Sequence, residues 1–384
     1  MNRRDTFAAT MNHCKPDRVL VDYGKHIGSF HKSAYARLQG YLTDVAFDRE
    51  ASCKDSPTRI LDRMAQNVVL DEGLCRRFGI DFRWVIPRWV NVRDVTIDGE
   101  PGYLDMWHTP HRYTKVGDYF AITSQPLGQD SLTKADIETF DWPDPDQPAM
   151  FEGLAEQARH WLETTDYIVG ADGIKVGILQ TASQLRGYDK LFTDFALNPD
   201  LAHTLLSRLS AIVNEMYRRY MDAIGRYVQV VVITDDQGTQ NSLMVSPRMF
   251  RTFIKPYLKS QIETIKNTAN VKVLMHCDGA IAPIIPDLIE IGVDILNPIQ
   301  TVVKGLEDTR ALKEKFGDQI CFHGAIDVQQ FLPNATVEEV RAEVKKRIAD
   351  LGTNGGFILA PCHNINIDVP PANIVALFDA AKES

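Results

Sequence analysis

Residues 271–279 read Val-Lys-Val-Leu-Met-His-Cys-Asp-Gly and carry the most informative pattern of the chain. The segment opens with a largely apolar run, as expected for a strand that is covered on both faces of a sheet. A second apolar run, Phe357–Ala360, is followed shortly by Cys362 and His363. Polar side chains that follow buried strands are typical of a functional site at the mouth of an α/β barrel, where the strands end.

The second half of the chain alternates apolar runs with helical patterns. The runs are Tyr167–Gly170, Val228–Thr234, Val271–Met275, Asp294–Asn297, Ile320–Phe322 and Phe357–Ala360. Helix starts are marked between them, as where Asn198 precedes Pro199 and where Thr336 forms a capping box with Glu339. This alternation predicts the α/β class, as a (β/α)₈ TIM barrel or a doubly wound sheet. No Gly-x-Gly-x-x-Gly follows these strands, which disfavours dinucleotide binding.

The chain of 384 residues shows no linker or low-complexity tract, so we expect residues 1–384 to form a single barrel domain. Residues 91–125 form a less regular segment that we interpret as a β-rich insertion near the barrel mouth. Within it, Asp98-Gly99 predicts a hairpin turn. The run Val19–Val21 is a candidate for the first barrel strand.

The composition is that of a soluble globular protein, with 44% apolar and 24% charged residues. The net charge of −9, from 42 basic and 51 acidic residues, disfavours binding to nucleic acid or to anionic lipid. We expect no membrane span, no signal peptide and a cytoplasmic location. The six cysteines match no disulfide framework, and we expect reduced thiols.

Several motifs together resemble the uroporphyrinogen decarboxylase superfamily, and its methyltransferase-like branch more than its decarboxylases. The motifs include Thr234-Asp-Asp-Gln-Gly-Thr-Gln240, Met275-His-Cys-Asp-Gly279, Phe322-His-Gly-Ala-Ile-Asp327 and Ile358-Leu-Ala-Pro-Cys-His-Asn364. The resemblance covers most of residues 165–380. It implies a (β/α)₈ barrel whose active site lies at the C-terminal ends of the strands.

The resemblance implies two alternative activities. The decarboxylases of this superfamily remove carboxyl groups from a tetrapyrrole without a metal, and they use arginines near the N-terminus. In the comparable segment, Tyr23-Gly-Lys-His-Ile-Gly28, this chain offers only Lys25 and His26. The methyltransferases use zinc or work with a corrinoid protein, and their zinc motif resembles His-x-Cys with a distant Cys.

This chain differs from the zinc motif at two ligand positions. Asp278 stands where the motif has the cysteine of His-x-Cys, and His363 stands near the position of the distant cysteine. Strand geometry supports the pair His276 and Asp278, since side chains two residues apart point to the same side. The set His276, Asp278 and His363 suits zinc with an open coordination position, and also iron or another divalent metal. Cys277 and Cys362 are alternative ligands if the backbone leaves the extended conformation.

Three further residues are candidates for catalysis. Asp235 and Asp236 end an apolar run, and adjacent carboxylates at a strand end require water, a partner or a metal. Because side chains alternate along a strand, we expect only one of the two to point into the barrel mouth. There it would act as a general base, support a ligand histidine or bind substrate. The alternative is a structural role, as a helix cap or in a salt bridge. His323 suits proton transfer near neutral pH, and a packed structural histidine is the alternative.

Seven residues are candidates for substrate binding because the same pattern brings them to the mouth. They are Tyr23, His26, Arg186, Gln237, Gln240, Asn297 and Gln300. Arg186 suits a substrate carboxylate, although a structural ion pair is the alternative reading of this residue. Tyr23 and His26 reach the mouth only if Val19–Val21 is the first strand.

These observations lead to a first hypothesis of a metal-dependent methyltransferase. It would move a methyl group from a small O-, N- or S-methyl compound to a corrinoid protein, with Zn²⁺ or another divalent metal as its cofactor. No cobalamin-binding Asp-x-His-x-x-Gly motif is present, so the partner protein would bring the corrinoid. The alternatives are a decarboxylase of a substrate such as uroporphyrinogen and a non-catalytic binding barrel. The resemblance and the size also suggest a homodimer.

Overall fold

The computed structural model describes residues 1–23, 28–43, 60–174 and 177–384. His26, Lys25 and Cys53 therefore lie outside the described residues. The contacts divide the chain into two compact units. The first unit comprises residues 1–84, 164–168 and 294–384, and the second comprises residues 85–163 and 169–293.

The strands are short, and most of their residues in the central sheet are buried. They are β1 (Leu20–Val21), β2 (Phe30–His31), β3 (Ile60–Asp62), β4 (Asn67–Val68), β5 (Phe82–Val85), β6 (Arg93–Ile97), β7 (Glu100–Leu104), β8 (Pro110–Thr114), β9 (Tyr119–Ile122), β10 (Ile168–Ala171), β11 (Val230–Thr234), β12 (Lys272–His276), β13 (Ile295–Ile299), β14 (Cys321–Ile326) and β15 (Phe357–Pro361).

The helices connect these strands. They are α1 (Arg3–Met11), α2 (Lys32–Tyr41), α3 (Glu72–Phe78), α4 (Lys134–Thr139), α5 (Pro148–Phe151), α6 (Leu154–Thr164), α7 (Ile178–Arg186), α8 (Tyr188–Leu197), α9 (Pro199–Ile224), α10 (Pro247–Met249), α11 (Lys255–Thr268), α12 (Ile285–Glu290), α13 (Thr309–Phe316), α14 (Phe331–Asn334), α15 (Val337–Leu351) and α16 (Pro371–Lys382). Short 3₁₀ turns lie at Gly225–Tyr227 and Ala282–Ile284, and a π-helical turn lies at Phe250–Ile254.

In the part of the chain that the structure describes, eight strands form the central sheet, in the order β1-β15-β14-β13-β12-β11-β10-β5. The pairings β1–β15, β10–β11, β11–β12, β13–β14 and β14–β15 are parallel. Helices follow the strands along the chain, as expected for parallel strands that need crossover connections. The fold is therefore the predicted α/β class, a (β/α)₈ TIM barrel.

The first unit contains both ends of that strand order, β1 and β5. The N–H of Asp81, just before β5, donates to the carbonyl of Val21 on β1 at 2.9 Å. The Asp81 carboxylate also accepts from the N–H of Val21 and forms ion pairs with Arg3 and Arg18. This buried carboxylate thus links the segment before β5 to β1, and the two arginines balance its negative charge. A small antiparallel sheet of β2, β4 and β3 belongs to the same unit.

The second unit contains β10, β11 and β12 and a separate antiparallel sheet in the order β6-β7-β8-β9. The four strands of that sheet lie in the predicted β-rich segment. Asp98 and Gly99 form the turn between β6 and β7, and both have the positive φ angles, 51° and 78°, that a tight hairpin turn requires. Inside the sheet, His111 Nε2 lies 3.0 Å from the Asp105 carboxylate, and both side chains are buried.

Two predicted helix starts are confirmed, since Pro199 occupies the first turn of α9 and Thr336 forms a capping box with Glu339. The Asn198 side chain makes no capping hydrogen bond, whereas the Ser246 hydroxyl accepts the N–H of Met249 at the start of α10. Pro256 lies in the first turn of α11, directly after the π-helical turn. Among the described residues, no helix combines the length and apolarity needed to cross a membrane.

Candidate functional site

His276 and Asp278 lie close together at the C-terminal end of β12. His276 Nε2 is 3.5 Å from Asp278 Oδ2, and the imidazole is buried while the carboxylate is about a quarter exposed. This arrangement follows from the i, i+2 spacing, which directs both side chains to one side of an extended backbone. The pair therefore brings an imidazole nitrogen and a carboxylate oxygen to one place, and the role of both as metal ligands stays a prediction.

Asp236, at the end of the neighbouring strand β11, completes this cluster in the second unit. Its Oδ1 accepts the backbone N–H of Asp278 at 3.0 Å and lies 3.8 Å from His276 Nε2. Its Oδ2 accepts a hydrogen bond from Gln180 Nε2 at 3.1 Å. Asp236 is thus held from two sides and brings a second carboxylate next to the His276 imidazole.

Asp235 points the other way and is fully buried. Its two carboxylate oxygens accept the backbone N–H groups of Leu179 and Gln180, at 3.1 and 2.9 Å, in the first turn of α7. Burial raises the pKa of Asp235 to about 7. The contacts of this carboxylate are those of a helix anchor, which is the alternative that the sequence left open, and a catalytic role for it stays a prediction.

Two glycines allow the loops after β11 and β12 to cross at very short distance. Gly279 has a φ of +96°, and a Cβ placed on it would lie 2.4 Å from the carbonyl carbon of Gly238. The N–H of Gly238 donates to the carbonyl of Asp278 at 3.1 Å, and the N–H of Ala280 donates to the carbonyl of Thr239 at 2.8 Å. The backbone on both sides of Asp278 is therefore fixed by contacts that only glycine permits.

The cysteines considered as alternative ligands are both buried. Burial raises the pKa of Cys277 well above its usual value, with the nearby Asp236 carboxylate adding to the effect. The Cys362 thiol donates to the carbonyl of Ile299 at 3.1 Å. Metal coordination by either cysteine stays a prediction.

His363 belongs to the first unit and lies two residues after β15 ends, with its side chain partly exposed. Its part in a metal site with His276 and Asp278 stays a prediction. His323, on β14 of the same unit, is fully buried and contacts Asp22 and Asn297.

The predicted substrate-binding residues differ in their surroundings. Arg186 forms a buried ion pair with Asp194 at 2.8 Å and donates to two backbone carbonyls, so its contacts are those of the structural alternative. Gln237 is buried and donates to the carbonyl of Asp235 at 3.2 Å. Tyr23, Asn297 and Gln300 are buried and Gln240 is exposed, whereas His26 lies outside the described residues. Substrate binding by these residues stays a prediction.

Two buried carboxylates at strand ends were missed in the sequence. Asp22 follows β1 and Asp172 follows β10, and both are fully buried. Each comes directly after the last residue of its strand, in the same position that Asp235 has after β11. That shared position is the signal that would have found them.

Comparison with known proteins places the chain in a family. The model of the family "Uroporphyrinogen decarboxylase (URO-D)" matches residues 123–384. Uroporphyrinogen decarboxylase from Psychromonas ingrahamii is 26% identical over 280 residues, which cover 70% of this chain and 74% of the relative. The enzyme of the same name from Trichodesmium erythraeum is 27% identical over 186 residues, 48% of each chain.

A solved structure also matches the full length of the chain. A methyltransferase from Methanosarcina mazei superposes with a TM-score of 0.66 at 17% sequence identity, and the match covers 100% of this chain and 99% of that one. At this identity the likeness shows the fold alone. Because the family model covers more than half of the residues, the chain belongs to the uroporphyrinogen decarboxylase family.

Proposed function

We propose that this protein is a metal-dependent methyltransferase of the uroporphyrinogen decarboxylase superfamily. Membership of the superfamily indicates an enzyme, either a decarboxylase or a methyltransferase. The observation that carries the proposal is the cluster at the end of β12, where the His276 imidazole faces the carboxylates of Asp278 and Asp236 at 3.5 and 3.8 Å. A divalent cation at this place would be bound by an imidazole nitrogen and a carboxylate oxygen that the fold already brings close together.

The proposed ligands are His276, Asp278 and His363. Each offers one ligand atom, an imidazole nitrogen from each histidine and a carboxylate oxygen from Asp278. Two nitrogens and one oxygen fit Zn²⁺ with an open position, and they also fit iron or another divalent ion. A bound ion of this kind would act as a Lewis acid on the heteroatom that carries the methyl group.

The surrounding residues would hold the ligands in place. Asp236 fixes the backbone N–H of Asp278 and places a second carboxylate 3.8 Å from His276 Nε2, where its negative charge would favour a bound cation. Gln180 in turn fixes Asp236. Such a preorganised set keeps the ligand atoms in position before the substrate arrives.

The methyl group would pass from a small O-, N- or S-methyl compound to a corrinoid that a separate protein brings. The sequence carries no corrinoid-binding motif of its own, which supports a partner protein. A homodimer and a cytoplasmic location are further parts of this proposal that follow from the resemblance and the composition.

The metal can be tested before the substrate is known. We expect protein purified without a histidine tag to contain about one equivalent of a divalent metal per chain by mass spectrometry, in line with a single three-ligand site. The variants His276→Ala and Asp278→Ala should lose the metal, whereas His160→Ala, on the exposed surface of α6, should keep it.

The activity test uses the same variants with a panel of methoxylated aromatics, methylamines, betaines and methylated thiols, together with a reduced corrinoid acceptor. Methylated corrinoid should form with one class of donor and disappear in the His276→Ala variant. Full activity in a His276→Ala variant that is shown to be free of metal would contradict the proposal.

Decarboxylation is the second candidate, because the relatives named above are uroporphyrinogen decarboxylases. Such an enzyme needs cations to hold the carboxylates of its substrate, and Arg186 is already paired with Asp194. Incubation with uroporphyrinogen followed by product analysis separates the two candidates, since loss of carbon dioxide is expected only from a decarboxylase.

A further inference from the structure

A groove on the surface of the second unit lies between α4 and the first half of α9. Its volume of about 840 Å³ is within the range of sites for small organic ligands and is far larger than a single ion needs. None of the residues that line it belongs to the proposed metal cluster. They are Lys134, Ile137, Glu138, Asp200, His203, Thr204, Ser207, Arg208 and Ala211.

Helical spacing explains why these side chains share one groove. On α9 the lining residues recur every three or four positions between Asp200 and Ala211, and residues at this spacing lie on one face of a helix. On α4, Lys134 and Glu138 are four positions apart and share a face in the same way. Because α4 contacts α9, the two faces form the walls of the groove.

The groove contains two basic and two acidic side chains, of which only one pair is in contact. Lys134 Nζ lies 3.7 Å from Asp200 Oδ2, so these two charges offset each other. Arg208 and Glu138 are exposed, and neither forms an ion pair within 4.0 Å with any residue that the structure describes. One cation and one anion of the groove are therefore available to a ligand.

The wall formed by α9 also carries an imidazole that is held in place. His203 Nδ1 lies 2.9 Å from the Tyr257 hydroxyl, and the ring stacks on Phe253 with the centroids 4.8 Å apart. The Ser207 hydroxyl, one helical turn further on, lies 3.2 Å from the same Tyr257 oxygen. Within the described part of the chain, His203 Nε2 makes no hydrogen bond. The groove thus offers a polar atom on a side chain that is already ordered, which lowers the entropic cost of binding.

We propose that this groove binds a small zwitterion of the amino-acid type, with its carboxylate on Arg208 and its ammonium group on Glu138. A guanidinium binds a carboxylate through two parallel hydrogen bonds, and a carboxylate accepts hydrogen bonds from an ammonium group. A simple anion would meet Glu138 as a like charge, and a simple cation would meet Arg208. A zwitterion matches both unpaired charges of the groove.

This site goes beyond the proposed methyl transfer and does not depend on it. Its residues lie on α4 and α9, whereas the proposed ligands His276 and Asp278 lie at the end of β12. The His276→Ala variant should therefore bind the zwitterion as the parent protein does, although it should lose the metal. This comparison keeps the outcome for the groove separate from the outcome for the metal centre.

Four small compounds serve as probes of the full-length protein. L-norvaline and δ-aminovalerate are isomeric zwitterions that differ only in the position of the ammonium group. Valerate lacks that group, and butylamine lacks the carboxylate. Saturation-transfer NMR and isothermal titration calorimetry should show saturable binding of at least one isomer. Valerate and butylamine should each bind at least about fivefold more weakly, because each has lost one of the two charge contacts.

Charge variants locate the binding in the groove. Arg208→Gln and Glu138→Gln should each weaken binding of the zwitterion about fivefold, whereas Arg159→Gln and Glu156→Gln, at exposed positions of α6, should leave it unchanged. All four positions are exposed, so we expect the variants to fold, and circular dichroism checks this. The double variant Arg208→Glu/Glu138→Arg should recover binding that Arg208→Glu alone loses, because the zwitterion can bind in the reverse orientation.

Three outcomes would overturn the proposal. If neither isomer binds saturably, the groove does not take a zwitterion of this type. If valerate binds as tightly as the isomers, the site selects an anion and the ammonium group is not recognised. If a zwitterion binds but keeps its affinity in both Arg208→Gln and Glu138→Gln, the binding site lies elsewhere on the protein.

Discussion

The Asp236 carboxylate accepts the backbone N–H of Asp278 at 3.0 Å, and the same oxygen lies 3.8 Å from His276 Nε2. One side chain at the end of β11 thereby fixes the backbone of Asp278 and lies close to the His276 imidazole, both at the end of β12. Because the contact involves the backbone of Asp278, it sets the position of the loop as well as that of the carboxylate. The proposed metal centre depends on this link between neighbouring strands.

Asp236→Asn should weaken metal binding without unfolding the protein. The amide keeps the size of the side chain but presents no negative charge to His276, and loss of an outer carboxylate lowers metal affinity by on the order of 10–100-fold. Competition with a chelator, followed by metal analysis, measures this change. Asp318→Asn, at an exposed position before β14, is the matched control. Equal metal affinity in Asp236→Asn and Asp318→Asn would show that Asp236 does not contribute to metal binding.

Gly279→Ala should disturb the site more than a glycine substitution elsewhere. The added methyl group would lie 2.4 Å from the Gly238 carbonyl carbon, and the φ of +96° is strained for alanine. Gly153 also has a positive φ, +77°, but nothing within 4 Å of the added atom. Gly153→Ala therefore reports only the backbone strain, of about 1–3 kcal/mol.

Urea unfolding and metal content should separate the two glycine variants. Both should lose stability, but only Gly279→Ala should lose metal, because the loops after β11 and β12 must separate to admit the methyl group. If Gly279→Ala is no less stable than Gly153→Ala and keeps its metal, the close crossing of these loops is not required for stability or for metal binding.

The described cysteines should differ sharply in reactivity. Cys14 is exposed, whereas Cys75, Cys277, Cys321 and Cys362 are buried and free of disulfides. Burial raises the pKa of Cys75 to about 12, which further suppresses its thiolate. Iodoacetamide under native conditions, with peptide mapping, should label Cys14 fast and these four only after unfolding. Cys14→Ser is the control, and fast labelling of Cys277 would contradict its buried position.

The ion pair between Arg77 on α3 and Asp379 on α16 should make stability depend on pH. Its hydrogen bonds are 2.6 and 3.2 Å long, and the bond to Arg77 lowers the pKa of Asp379 below its usual value. A lowered carboxylate pKa stabilises the fold above the unfolded pKa of about 3.9, and this contribution is lost as the pH falls through the lower folded pKa.

Asp379→Asn should therefore cost about 1 kcal/mol at neutral pH, a typical value for a partly exposed pair. The difference from the parent protein should shrink as the pH is lowered below about 4, where the carboxylate becomes protonated. Urea unfolding at several pH values measures this trend, with Asp318→Asn as the control. If the difference in unfolding free energy between the two proteins does not shrink below about pH 4, the ion pair is not its cause.

The sequence alone indicated the alternation of strands and helices in the second half of the chain and the shared direction of His276 and Asp278. Apolar runs marked the barrel strands, and capping residues such as Thr336 marked the helix starts, because both signals act over a few residues of local backbone. The i, i+2 rule placed the two proposed ligands on one side for the same reason. Local patterns could not decide between a catalytic and a structural role for Asp235, because its hydrogen-bond donors lie in α7, more than 50 positions away along the chain.

Only the tertiary structure decided which distant side chains meet. Asp22 contacts His323 across 301 positions of the chain, and Asp236 contacts Asp278 across 42. Parallel strands bring such residues together through their lateral order and register, and neither is encoded in a local pattern. The composition of each strand end was therefore readable in the sequence, whereas the partners of each polar side chain depended on the folded sheet.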